Sequence, residues 1–321
     1  MDDFRGVDRL TKENAQDLDR FLDHETDIAA SRSLVPLPVT KAGIDKQWVS
    51  FTCPSFVDPR RSMAVSGEAE AYAALTPTQR GVHMSRVVEA IAMTNDRYWD
   101  SVRAFVAGVT SEVAERQQLA EATMRFVGRA TDNRLTPVTR KWSPDTFDIT
   151  LTGRYAAGRV SGTATLGAAV MTACPCTQAF SRYTLIDRLA ADMGFDAAND
   201  VGFSTPTFTH SQRGRATLEL ELHEDVDLSH AYEAMNSAAH ITHELLKRPD
   251  EHDLVRRSHE RPQFTEDVVR DVVAAFVTSA GGLADPTSTI TATCRNLESI
   301  HNHDAYSEIT IPIADALARL G

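Results

Sequence analysis

The stretch "RATLELELHEDVDLSHAYEAM", residues 215–235, changes its period halfway along. Leu218, Leu220 and Leu222 alternate with polar residues, the repeat of a strand that buries one face. Asp227 then caps a helix that carries Leu228, Tyr232, Met235, Ala239 and Leu246. Downstream, Pro262 and Thr265 open a second helix with Val268, Val269, Val272, Val273 and Phe276 on its apolar face, and Gly281 and Gly282 stop it. Strands are expected at 161–171 before this pair of helices and at 287–294 and 307–313 after it. The first half has the same order, with strands at 34–51 and 63–75, helices at 84–93 and 98–118, and strands at 124–130 and 147–155.

Two strands, two helices and two strands, twice over, predict an α+β chain of two tandem modules with antiparallel sheets and helices on one face. The segment 134–144 is the expected boundary, giving an N-terminal arm over 1–33, a first module over 34–140 and a second over 141–321. Open sheets leave edges that must be paired, so a homo-oligomer that closes the sheets into barrels is expected.

Composition narrows the function. The chain has 321 residues, 42% of them hydrophobic and 24% charged, as in soluble globular proteins. A net charge of -12 leaves no excess of Lys and Arg to neutralise phosphates, which argues against nucleic acid or an anionic membrane as partner, although a small anionic substrate needs only a few local cations. No apolar run approaches the roughly 20 residues that span a bilayer, and the first ten residues are acidic where a signal peptide is basic and then apolar. A cytoplasmic location is expected.

A reducing compartment disfavours disulfides among the four cysteines. Cys53 and Cys294 stand in alternating strand contexts and read as inert. The strongest chemical signal is "TACPCTQ", residues 172–178: in extended conformation Cys174 and Cys176 point to the same side, with Pro175 restricting the backbone between them. That spacing suits neither a thioredoxin-type pair nor a zinc ribbon. One thiolate can bind metal while the other transfers protons; a buried turn with no role is the alternative. "THSQRG" (209–214) offers His210 and Arg213, and "LLKRPDEHD" (245–253) offers Lys247, Arg248 and Glu251, or simply a solvated charge run at a helix end. His240 and His243 read as helix residues one turn apart. Glu266 lies in a first helical turn, where the dipole alone favours a carboxylate. "RNLESIHNHDAY" (295–306) packs Glu298, His301 and His303 into a short space. Together, thiolate, imidazole and carboxylate suit zinc or ferrous iron, with further groups left for acid–base work in a hydrolase.

The motifs GVHMSR (81–86), CPC (174–176), HSQR (210–213), KRPDE (247–251), FTED (264–267) and ESIHNHD (298–304) occur in this order across most of the chain. In this the chain resembles the type IB GTP cyclohydrolases, bacterial folate-pathway enzymes and their archaeal methanopterin-pathway relatives. The resemblance implies a tunnelling fold of two tandem modules in a homotetramer, with GTP as substrate. It also implies the reaction: water adds to C8 of the guanine, formate leaves and the ribose is recyclised into 7,8-dihydroneopterin triphosphate. One divalent ion per site (Fe2+, Mn2+ or Zn2+) and no organic cofactor are implied, with the metal on Cys174, His210, Glu251 and His301. The proton-transfer groups would be Cys176, Glu298, His301 and His303. Glu266 would anchor the guanine edge, and Ser85, Arg86, Arg213, Lys247 and Arg248 would hold the triphosphate.

Thr177-Gln178 replaces the usual bacterial Ser-Lys, and 179–209 is long, as in the archaeal branch, whose product is the 2′,3′-cyclic phosphate. The IHNHDAY end looks bacterial, and the acidity falls short of a halophile's, which favours the triphosphate product. Two rival readings keep the architecture: a tunnelling-fold nitrile reductase with a cysteine nucleophile and NADPH, and a non-catalytic protein tied together by structural zinc.

Overall fold

The computed structural model describes residues 29–320, so most of the expected arm, 1–28, lies outside the described residues. The chain is a mixed α+β structure whose helices pack on a large sheet. In order it runs β1 (Val39–Pro54), β2 (Ser62–Leu75), α1 (Met84–Ala92), β3 (Arg97–Tyr98), α2 (Val102–Gln117), β4 (Glu121–Leu135), β5 (Trp142–Ala156) and β6 (Arg159–Ala173). It continues with α3 (Pro175–Met193), α4 (Phe195–Ser204), β7 (Ser211–Glu221), α5 (Leu228–Ala238), α6 (Arg248–Glu260), α7 (Thr265–Ala280), β8 (Thr289–Asn296), β9 (Ala305–Pro312) and α8 (Ile313–Leu320).

The nine described strands form one sheet in the order β3-β1-β2-β4-β5-β6-β7-β8-β9, antiparallel except where the two residues of β3 run parallel to β1. The strands of both halves thus belong to one continuous sheet. The segment 134–144 spans the turn of the β4–β5 hairpin, and a two-residue turn joins β5 to β6.

Strand β7 buries the face its alternation predicts. Gly214, Ala216, Leu218 and Leu220 of β7 turn toward the helices, while Arg213, Arg215 and Thr217 face the open side. In the first half Phe51 stacks on Phe105 of α2 with centroids 3.9 Å apart and meets Phe126 edge-on. Trp99 is accommodated because α2 carries Gly108, where a Cβ would come within 2.5 Å of the indole. In the second half α5 and α7 cover the sheet with Met235, Val272 and Phe276, all essentially inaccessible. Burying side chains of this size contributes about 2 kcal/mol each.

Three readings are corrected. The helix capped by Asp227 ends at Ala238 and does not reach Leu246, because Ala239 turns extended. His240 and His243 are accordingly not helical neighbours. Their segment inserts between β5 and β6, which pair only from Asp148 and Gly167 outward. There Met171 N–H donates to His240 O (2.9 Å) and Thr242 N–H to Ala169 O (3.0 Å). β-Branched Ile241 and Thr242 suit that role. Finally, the charge run at 247–253 begins the helix α6, with Pro249 in its first turn.

A buried polar network secures the inserted segment. Arg134 and Asp145, both 4% exposed, pair at 2.5 Å, and the guanidinium also donates to Thr242 O at 2.7 Å. Asp145 meets His243 Nδ1 at 2.8 Å and accepts from the Glu244 backbone N–H at 2.8 Å, while Ser143 accepts from Leu245 N–H at 2.9 Å. Burial alone would push the Asp145 carboxyl up; the His243 contact, the Arg134 charge and the Ser143 and Glu244 donors hold it below its ordinary value.

Candidate active site

The connections that leave β6, enter β7 and join β8 to β9 all lie at one end of the sheet, and they carry most of the candidate residues. Cys174 caps α3, and its backbone N–H donates to His210 O at 3.2 Å, so thiol and imidazole stand on adjacent strand ends. The two cysteines do not share the extended conformation expected of them. Pro175 takes the first helical position, which puts Cys176 in the first turn of α3, exposed, while Cys174 is half-buried.

His210 is oriented by its Nδ1, which lies 3.2 Å from Gln212 Oε1 and 3.4 Å from Ser299 Oγ. Gln212 in turn donates to Glu298 at 3.3 Å. Gln212 thus links the imidazole on β7 to the carboxylate in the β8–β9 connection. His301 and His303 lie further along that connection, exposed and stacked, with centroids 5.2 Å apart and 12° between planes. Glu266 sits in the first turn of α7 beside Thr265, whose hydroxyl lies 2.8 Å from Ser307 Oγ at the start of β9. The charge of Glu266 adds to burial in pushing the Cys294 thiol up to about 12, which makes that cysteine inert. Cys53 is likewise buried and pushed up to about 12, by burial first and then by Asp132 and Asp227.

Helix α6 lies across the same end. At its start Asp250, fully buried, accepts from Val138 N–H and Thr139 N–H (2.9 Å each) and from Lys247 N–H (3.2 Å), which ties the KRPDE segment to the β4–β5 turn and holds the Asp250 carboxyl well below the usual range against its desolvation. At its end the buried His259 meets Thr209 O at 3.2 Å, next to His210, and Gln178 of α3 donates to Thr207 O at 2.9 Å and to His259 O at 2.5 Å. Lys247, Arg248 and Glu251 are exposed in the first turn. Glu251 therefore lies about 12 Å along the helix from the end that touches the His210 strand.

Ser85 and Arg86 are elsewhere. They open α1, where Arg86 donates to Arg116 O at 3.3 Å beside the start of β4. That is the opposite end of the sheet, roughly 45 Å away along a strand of 15 residues such as β6. The two ends do not meet within one chain.

Cys174 and His210 offer thiol and imidazole, donors suited to a borderline divalent ion. Among the described residues no three His, Cys, Asp or Glu side chains are grouped as a metal ion requires. Sequence reasoning gave no role to Gln212, Gln178, His259, Asp145 or Asp250. Gln212, Gln178 and Asp250 stand inside or beside the motifs themselves; His259 and Asp145 become visible only through the contacts they make.

A family model described as type I GTP cyclohydrolase folE2 matches residues 26–307. The chain belongs to that family. Among its relatives, GTP cyclohydrolase MptA 1 of Methanocella arvoryzae is 30% identical over 297 residues, covering 88% of this chain and 92% of that protein. GTP cyclohydrolase MptA of Methanosphaera stadtmanae is 28% identical over 289 residues, covering 85% and 91%. GTP cyclohydrolase FolE2 of Staphylococcus carnosus is 27% identical over 242 residues, 73% of each chain. As a cyclohydrolase-family chain, it places the CPC, HSQR and ESIHNHD motifs at one sheet end and GVHMSR at the other.

Proposed function

We propose that this protein is a metal-dependent GTP cyclohydrolase of the cytoplasm that converts GTP and water to 7,8-dihydroneopterin triphosphate and formate in pterin biosynthesis. The observation that carries the reading is the chain Cys174–His210–Gln212–Glu298 at one sheet end of a cyclohydrolase-family protein. In this reading Cys174, His210, Glu251 and His301 hold one divalent ion. When bound, it supplies Lewis-acid activation of water at neutral pH. Glu266 accepts from the guanine N1–H and 2-amino group, a pairing a carboxylate makes bidentately. Glu298, Cys176, His301 and His303 supply and accept protons around the purine. Lys247, Arg248 and Arg213 bind the triphosphate.

The site is completed by assembly. Ser85 and Arg86 reach the triphosphate only from a second subunit, since their end of the sheet lies far from Cys174 within the chain. A homotetramer of the tunnelling fold would provide this: among the described residues β9 has no further strand beside it, and β1 is covered by β3 only at Phe51 and Thr52. The high coverage of the archaeal MptA relatives, together with the α3–α4 insertion, favours a second reading in which the product is the 2′,3′-cyclic phosphate.

Subunit mixing tests the assignment. Arg86→Ala and Glu298→Gln proteins, each inactive alone, should regain formate release from GTP when unfolded and refolded together. Recovery that never exceeds the sum of the separate variants would refute the shared site, and no formate from the wild-type protein would refute the function.

A further inference from the structure

Residues 206–210 belong to no helix or strand, yet they end in His210, the imidazole at the head of β7. An irregular segment has no regular ladder to fix it, so its buried carbonyls need donors from elsewhere. Two side chains supply them. Gln178 of α3 donates from its amide to Thr207 O at 2.9 Å, and His259, in the last turn of α6, sets Nε2 at 3.2 Å from Thr209 O. Both side chains belong to residues only 3% exposed.

The two are joined to each other and to the CPC motif. The Gln178 amide also donates to His259 O at 2.5 Å, and the Gln178 backbone N–H donates to Cys174 O at 3.1 Å. On its other side the His259 ring meets Val255 O, 2.7 Å from Nδ1, and it lies against the Phe208 ring with centroids 5.0 Å apart. Cys174 N–H in turn donates to His210 O at 3.2 Å, which closes the circuit. The placing of imidazole against thiol is thus set from two directions: by the backbone bond between them, and by the Gln178–His259 pair behind the segment.

We propose that His259 and Gln178 are positioning residues for His210: from α6 and α3 they hold the 206–210 segment so that its imidazole stands beside the Cys174 thiol. Being buried, both act through the segment they hold. The holding itself does not depend on the proposed activity; its use in presenting His210 to a metal ion rests on the cyclohydrolase reading. A donor fixed in advance binds an ion more tightly, and loss of such outer support costs metal affinity about 10–100-fold.

Two readouts on the intact protein test this. His259→Phe removes the donor but keeps a ring beside Phe208, Gln178→Met removes the amide at similar volume, and His259→Gln restores an N–H. In the metal-free protein, hydrogen exchange of the Cys174 amide, which donates to His210 O, should quicken about fivefold or more in the first two variants and return toward the wild-type rate in the third. The Thr242 amide, which donates to Ala169 O, should keep its rate. Titration with Co2+, followed through thiolate-to-cobalt absorption, should show affinity weakened at least about tenfold by His259→Phe and recovered in His259→Gln. Ser288→Ala, which removes a buried hydroxyl at the opposite end of the sheet, reports what lost stability alone does and should bind Co2+ as wild type. Unchanged Cys174 exchange in His259→Phe and Gln178→Met, equal quickening at Cys174 and Thr242, or Co2+ affinity equal in wild type and His259→Phe would overturn the proposal. Faster Cys174 exchange in a protein whose wild type binds no Co2+ would keep the positioning role and refute the metal-dependent reading alone.

Discussion

Replacing Asp145 by Ala should be among the most damaging single changes outside the candidate site. The carboxylate is 4% exposed and is engaged by Arg134, His243, Ser143 and the Glu244 backbone. Its removal leaves the Arg134 guanidinium buried without its counter-ion, a loss of about 3–5 kcal/mol. At roughly 2 °C per kcal/mol for a chain of this size, the melting temperature should fall by about 6–10 °C. The pH dependence has a definite sign. Because the folded-state carboxyl is depressed, its contribution is complete above the unfolded value near 4 and is lost as pH falls through the lower folded value. Urea unfolding of wild type and Asp145→Ala should therefore differ fully at neutral pH and converge in strong acid. Arg134→Met/Asp145→Leu should be more stable than Asp145→Ala, since it leaves no unpaired charge. A single-variant loss below about 1 kcal/mol, or a gap independent of pH, would refute the claim that this pair fastens the inserted segment.

Two further outcomes are expected. A disulfide-exchange reagent at mildly alkaline pH should titrate Cys174 and Cys176 in the native protein and all four thiols after denaturation, because Cys53 and Cys294 are buried with thiols pushed up to about 12; rapid native labelling of four would contradict the burial. Glu266→Ala should weaken GTP binding about 100-fold, while Glu298→Gln should spare binding and reduce turnover at least about 100-fold, as measured by calorimetry and formate release. Equal loss of GTP affinity in both would undo the division of roles.

The strand alternation at Leu218 and Leu220, the cap at Asp227 and the helix start at Thr265 were legible because period and helix-start signals are local properties. The single sheet was not: β5 and β6 pair as a local hairpin that runs straight across the two-module pattern, which assigns each half its own sheet. The insertion of Ile241 and Thr242 into the sheet was hidden by an Ala-rich run that continues the helical period past Ala238; the decisive hydrogen bonds come from Ala169 and Met171, some 70 residues earlier. Within the candidate site, residue types and order pointed to Cys174, His210 and Glu298. The supporting Gln212, Asp250 and His259 acquire meaning only from partners on other elements. The placement of Ser85 and Arg86 at the far end of the sheet depends on strand direction, which motif order does not encode.

The central claim is tested most directly by incubating the metal-reconstituted protein anaerobically with GTP labelled at C8 and following the label together with the mass of the pterin formed. The account predicts label appearing as formate in step with GTP loss, with a triphosphate-bearing dihydropterin as the co-product in the principal reading and a cyclic-phosphate dihydropterin in the archaeal one. Label retained in the purine with iron, manganese and zinc alike, in a protein that binds those metals, would contradict the account.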